Sequence, residues 1–267
     1  MRGQTLFYWI YDIPSLAAIA VFGAVFVGIF WLGALVLRPI VRSWFHQEPG
    51  LNATLGDYLQ YFGVIYGLLL GLLAVGTYQN HAHAEKAVVA EAAGLAVLFR
   101  DVSGYPEPYR SDLRTLVRDY ARSTIQDAWP KQREGILPLA GVFNPVVEIY
   151  TRMTQFEPQT KGQEAIHATA LRQFDTFLES RRERLYSVTS GMPRVMWYTV
   201  ALGALVNMIL LWLFDLKLGN HLLLGGLISF FMATMICLIA ILDNPFRGEV
   251  GVSPEAFELV YSQIMKD

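Results

Sequence analysis

Four stretches of the chain run without a single Asp, Glu, Lys or Arg: residues 13–37, 58–78, 195–214 and 221–242. Between the second and third lies a segment of the opposite kind, 79–194, which holds 15 of the 21 basic residues. A hydrocarbon core about 30 Å thick takes roughly 20 apolar residues of helix, so membrane spans are predicted at about 15–37, 58–78, 195–214 and 221–242. The first, SLAAIAVFGAVFVGIFWLGALVL, is preceded by Asp12 and Pro14 and followed by RPIVRSW; this does not fit a cleaved leader, and the segment is expected to stay as a span. Tyr and Trp near several span ends suit interfacial anchors. The link DLKLGN between the last two spans suffices only for a tight hairpin, which predicts that they are antiparallel neighbours. The organisation expected is an N-terminal transmembrane hairpin (1–78), a helical domain (79–194), a C-terminal transmembrane hairpin (195–242) and a closing segment (243–267).

The polar segment reads as helices. Apolar positions 88, 89, 92, 95, 96 and 99 keep close to an i, i+3, i+4, i+7 pattern with no breaker separating them from the second span. YPEP at 105–108 predicts a turn. Ser111 is expected to cap a helix carrying Leu113, Leu116, Val117, Tyr120 and Trp129, with Pro130 ending it. A looser stretch, KQREGILPLAGVFNP, precedes a short helix over 145–156 and a long one over 161–189 with Ile166, Phe174, Phe177, Leu178 and Leu185 in phase. No alternation of Val, Ile and Thr is sustained, so no sheet is expected.

Four spans place both termini and residues 79–194 on one side of the membrane. Near the span ends that side carries Arg2, Lys86, Arg181, Arg182, Arg184, Arg194 and Arg247, against Arg38, Arg42 and Lys217 on the other. The positive-inside rule therefore favours a cytoplasmic domain in a cell inner membrane, although the first span alone favours the reverse. Composition agrees with two solvents: 54% of residues are hydrophobic and 16% charged, outside the soluble norm. A net charge of −2 without a long single-sign run argues against nucleic acid as a partner. The single cysteine, Cys237, excludes an intrachain disulfide and a multi-cysteine zinc site.

Chemistry is sparse. The chain has no GxSxG, HExxH, Walker loop or dinucleotide fingerprint, so no catalytic residue is assigned and no enzyme is expected. His81 and His83 stand on different sides of a helix, without a partner at i+3 or i+4, so no metal site is assigned. Glu85 reads as a solvated position, whereas Glu91, set in VVAEAAGLA, suits a pair with an arginine of another helix. Asn207 suits a hydrogen bond between spans, and Asp243 ends the fourth span, where a carboxylate needs a partner.

The second span carries the informative pattern. Gly63, Gly67 and Gly71 form a flat stripe suited to close helix packing. On another side Ile65, Leu69 and Leu72 continue in helical phase toward Gly76, Gln79 or Asn80, and His83. An aliphatic constriction opening to a polar mouth has this order. One chain cannot enclose a passage with one such face, so this reading requires a ring of subunits.

Three segments carry a resemblance that covers nearly the whole chain: AEKAVVAEAAGLAVLFRDV after the second span, SGMPRVMWYTVALGAL opening the third and LDNPFRGEVGVSPEAFELV leaving the fourth. The chain resembles the bestrophin-like membrane family. The resemblance implies an all-α polytopic protein with four transmembrane helices per subunit, a helical cytosolic body, and a homo-oligomer, a pentamer, whose second span lines a chloride or other anion pathway. Asn244, Pro245, Phe246, Gly248 and Glu249 resemble the segment that in bestrophins leads into calcium-binding aspartates, with Arg247 interposed. The aspartates are replaced by VGVSPEA, and Glu249, Glu255 and Glu258 are a thin supply for an ion that takes six to eight oxygens. No cofactor is therefore expected, calcium included. The turn Asp243 to Glu249 is expected to be structural. Partners expected are membrane lipid, inorganic ions and further copies of the chain. The alternative is a non-conducting scaffold or sensor whose helical body binds a protein; an enzyme acting on lipid is a third, weaker reading.

Overall fold

The computed structural model describes residues 8–45, 50–137 and 145–266. Among these the chain is helical, with no strand. A 3-10 turn at Tyr8–Tyr11 precedes α1 (Ser15–Phe45), α2 (Leu51–Val102) and α3 (Tyr109–Ser123). A π-helical turn at Thr124–Ala128 leads into α4 (Trp129–Arg133), followed by α5 (Pro145–Thr154), α6 (Lys161–Val188), α7 (Arg194–Trp212), α8 (Leu218–Leu242) and α9 (Glu255–Leu259). Among the described residues, α1, α2, α7 and α8 are long and apolar enough to cross a membrane, the four spans expected. The fold is all-α and multi-pass. Contacts divide it into two compact units, one of Met1–Gln79, Gly191–Asp243 and Gly248–Val250, the other of Asn80–Ser190, Asn244–Arg247 and Gly251–Asp267.

In the first unit, α1 lies along α8 through ring-into-glycine contacts. Gly23 meets Phe230, Gly225 meets Phe30, and Trp31 Nε1 donates to the Leu222 carbonyl at 3.0 Å. Ascending positions on α1 meet descending ones on α8, so the two run antiparallel. The short link does join α7 to α8, and His221 Nε2 lies 2.9 Å from the Leu211 carbonyl across it. Yet α8 packs far more extensively on α1 than on α7, because glycines on both α1 and α8 let the backbones approach. α7 is held to α1 by Trp212, whose Nε1 donates to the Phe30 carbonyl at 3.0 Å. α2 is held to α7 by Tyr66, which lies on Gly203 and donates to the Val200 carbonyl at 2.9 Å. α1 exceeds its predicted span and runs through Pro39, which removes one backbone bond without ending the helix.

A methyl group on Gly225 would stand 2.0 Å from Cζ of Phe30, itself fully buried. Gly225→Ala is therefore expected to lose about 1–3 kcal/mol through overpacking, outweighing the roughly 1 kcal/mol that alanine gains in helix propensity. Thermal unfolding in detergent reads this, and Phe30→Leu in the same chain should recover most of the loss.

The second unit is built on residues 80–102 of α2. Ala84, Val88, Glu91, Ala92, Leu95, Leu98, Phe99 and Val102 are buried, while Val89 is 53% exposed, so the helical phase is as predicted but shifted by one position at each edge. Leu113 and Val117 of α3, Ile149 and Met153 of α5, and Phe174 and Phe177 of α6 complete the core. Two sequence expectations are corrected. The Ser111 side chain does not cap α3, which begins at Tyr109; Glu107 does this work, its carboxylate accepting from Ser111 N at 3.1 Å, because its longer side chain reaches forward over the first turn. Pro130 does not end the helix: the chain stays helical from Tyr109 through the π-turn to Arg133, and the i→i−5 bond of that turn, from Trp129 N to the Thr124 carbonyl, opens the ladder just where the proline has no N–H to give. The chain leaves that helix at Gly135, where φ is +71°. Part of the loose stretch, 138–144, lies outside the described residues.

Candidate functional site

Three sides of α2 are distinct in the first unit. Leu55, Tyr66, Leu70 and Thr77 are buried against the chain's own helices. A second side is bulky and uncovered: Ile65 is 67% exposed and Leu72 72%, with Leu68 and Val75 beside them and Gly76 and Gln79 following in phase, all exposed. Leu69 is half-buried and packs on the chain's own core, so it flanks this face and does not centre it. Sequence reasoning passed over Leu68 and Val75, which continue the i, i+3, i+4 series; in an all-apolar helix nothing in composition singles them out. The third side holds Gly63, Gly67 and Gly71, and no atom of the described chain lies within 4 Å of a Cβ built at any of them.

In the second unit, Asn80 and Ser190 bond to each other, Asn80 Nδ2 donating to Ser190 Oγ at 3.1 Å. Of the two candidates at this level, Gln79 is therefore the one whose amide is presented. His83 and Glu85 are exposed.

The turn after α8 is built from bonds to the backbone. In the first unit, the buried Asp243 accepts from Met192 N at 2.6 Å and so holds the residues before α7. Burial pushes its carboxyl up from the usual range, partly offset by Met192 N and the Trp197 side chain. Gly248, with φ at +76°, lies against Tyr11, whose hydroxyl donates to the Ala240 carbonyl at 2.7 Å. Glu249 Oε2 accepts from Ser15 N at 2.8 Å, capping α1, and this bond holds its carboxyl below the ordinary range. In the second unit, Arg247 N donates to the Asn244 carbonyl and Val252 N to that of Pro245, while the Arg247 guanidinium donates to the Glu134 carbonyl. Phe246 is buried edge-on to Trp129, centroids 5.6 Å apart.

The Glu249 carboxylate is engaged by the first amide of α1, and among the described residues no three His, Cys, Asp or Glu side chains come together as ligands.

The most strongly bonded polar group lies in the core of the second unit. Arg184 of α6 donates from Nε to Glu91 Oε2 at 2.5 Å, from Nη2 to Glu91 Oε1 at 3.1 Å and from Nη1 to Gln132 Oε1 at 2.5 Å. Tyr120 donates to the same carboxylate, and the guanidinium lies 5.7 Å from the rings of both Trp129 and Phe257. Burial works against the Arg184 charge, but Glu91 and Tyr120 more than offset it and hold the guanidinium protonated. The arginine partner that the sequence suggested for Glu91 is thus Arg184. With carboxylate, guanidinium and phenol all directed at one another, this cluster is structural.

The Bestrophin-like domain family matches residues 24–257, most of the chain. The chain belongs to the Bestrophin-like family. A solved bacterial bestrophin homologue from Klebsiella pneumoniae is similar to this bestrophin-like chain, with a TM-score of 0.64 at 15% identity, covering 90% of this chain and 97% of that one. A tryptophan-to-alanine variant of that homologue gives 0.66 at 14% identity over 95% and 96%. A structure described as a membrane protein gives 0.62 at 13% identity over 90% and 99%. At such identities the likeness is one of fold. No curated protein sequence matches the chain.

Proposed function

We propose that the bestrophin-like chain is a subunit of an ion channel, with five copies around an axis and one α2 from each lining the passage. The observation that carries this is how little of α2 its own subunit covers. Within its most apolar 18 residues, 11% are buried, against 22–44% for the other three spans. A helix with a bulky uncovered face and a glycine face has one surface for an axis and one for a neighbour. Ile65 and Leu72, flanked by Leu69, form the narrow part in this reading, and Gly76, Gln79 and His83 follow toward the mouth, while Asn80 is tied to Ser190. Gly63, Gly67 and Gly71 receive the adjacent subunit, and Asp243 to Glu249 brace the chain where it leaves the fourth span. Anions are the proposed cargo, by family; an inner-membrane location is proposed with them, and the basic residues at the span ends support termini and polar domain on the cytoplasmic side.

The test combines a symmetry-resolved particle of the purified chain with currents in planar bilayers. A five-fold particle with an axial passage and measurable anion current is expected, and the current should be the same with and without a calcium chelator. A ring plugged along its axis and silent in bilayers would favour the scaffold reading instead.

A further inference from the structure

Trp9 of the N-terminal turn, Phe22 and Phe26 of α1 and Trp197, Ala201 and Ala204 of α7 line a half-open cavity of about 480 Å³ in the first unit. Its back wall is Ile236 of α8, and no charged side chain lines it. Trp9 stacks on Phe22 with centroids 5.8 Å apart. The starts of α1 and α7 stand at one edge of the unit, because Tyr11 and Met192 both bond to the last turn of α8, at Ala240 and Asp243. At 1.5 Å per residue, Trp197 to Ala204 covers roughly 10 Å of depth below that edge. Arg194, one turn before Trp197 and Tyr198, is exposed there.

What fills such a space follows from its walls. Water needs two to four polar partners, and these walls are almost wholly hydrocarbon and ring. Left empty between two membrane-crossing helices, the space would forfeit dispersion contacts along its walls. An acyl chain restores them without any polar demand. The aromatic rings at the edge have the amphipathic character of residues at headgroup level, and the exposed guanidinium of Arg194 complements a phosphate.

We propose that this cavity is a phospholipid site, seating one acyl chain with the lipid phosphate held at Arg194. The proposal needs no conduction and stands apart from the channel reading. It is tested by stripping lipid from the purified full chain, adding dioleoylphosphatidylethanolamine, and counting lipids retained per subunit by native mass spectrometry. One tightly held lipid per subunit is expected. Ala201→Trp and Val25→Trp fill the space from opposite walls and should each abolish retention. Arg194→Gln, at an exposed position that leaves the packing intact, should weaken retention about tenfold. Dioleoylglycerol, with the same chains and no phosphate, should bind more weakly and be indifferent to Arg194→Gln. Equal retention by the unmodified chain and these variants would overturn the site. So would filling variants that change the number of subunits and leave lipid retention unchanged, because the cavity would then belong to a neighbouring copy.

Discussion

Glu91→Gln is expected to destabilise the second unit by about 3–5 kcal/mol, because it leaves a guanidinium buried without its counter-charge. Arg184 is 2% exposed and Glu91 fully buried, so neither water nor ions can replace the missing partner. Against a total stability of about 5–15 kcal/mol, the loss is a third or more of what holds a typical domain together. Thermal unfolding in detergent reads the loss, and in a chain whose other five tryptophans are replaced by phenylalanine, Trp129, 5.7 Å from the guanidinium, reports it locally by fluorescence. A double replacement, Glu91→Leu with Arg184→Met, should be far milder than either single change, since it removes the desolvated charges together. An unfolding curve for Glu91→Gln that overlays the unmodified chain would show that the pair contributes little.

The second large effect concerns conduction. Ile65→Ala and Leu72→Ala in one chain are expected to raise single-channel conductance or leak several-fold, because smaller side chains weaken dewetting at a hydrophobic constriction. Leu223→Ala on α8 is the matched control, since that residue is 63% exposed in the subunit and equally apolar. The lining stands if the α2 changes alter current and the α8 change does not. It falls if the currents are the same in all three.

The cause of the one-residue shifts and the two misread helix boundaries is local. Ser111 and Pro130 are residues with strong average habits at helix ends, yet Ser111 lies inside the first turn of α3 and Pro130 lies inside a helix that continues through a π-turn. Which residue caps or breaks depended on its surroundings: Glu107 lies far enough upstream to reach forward to Ser111 N, and the π-helical turn at Thr124–Ala128 opens the helix so that it carries on through Pro130. Neither the extra residue of a π-turn nor the reach of a carboxylate is encoded in hydrophobic periodicity. Glu91 was legible as a residue needing a cation, because a carboxylate in an apolar run is costly alone; that the cation is Arg184, 93 residues away, was not.

By itself the sequence determined that the chain is all-helical, crosses a membrane four times and belongs among the bestrophin-like proteins. Those facts rest on uncharged length and on local text, which any folded arrangement must respect. Only the tertiary structure decided which side of α2 its own bundle covers, that Leu69 flanks and does not centre the uncovered face, and that Glu249 is engaged by the start of α1. The physical reason is that a span apolar all round can satisfy a neighbouring helix, lipid or an axis with the same side chains. Contacts between distant parts of the chain assign each face its surroundings.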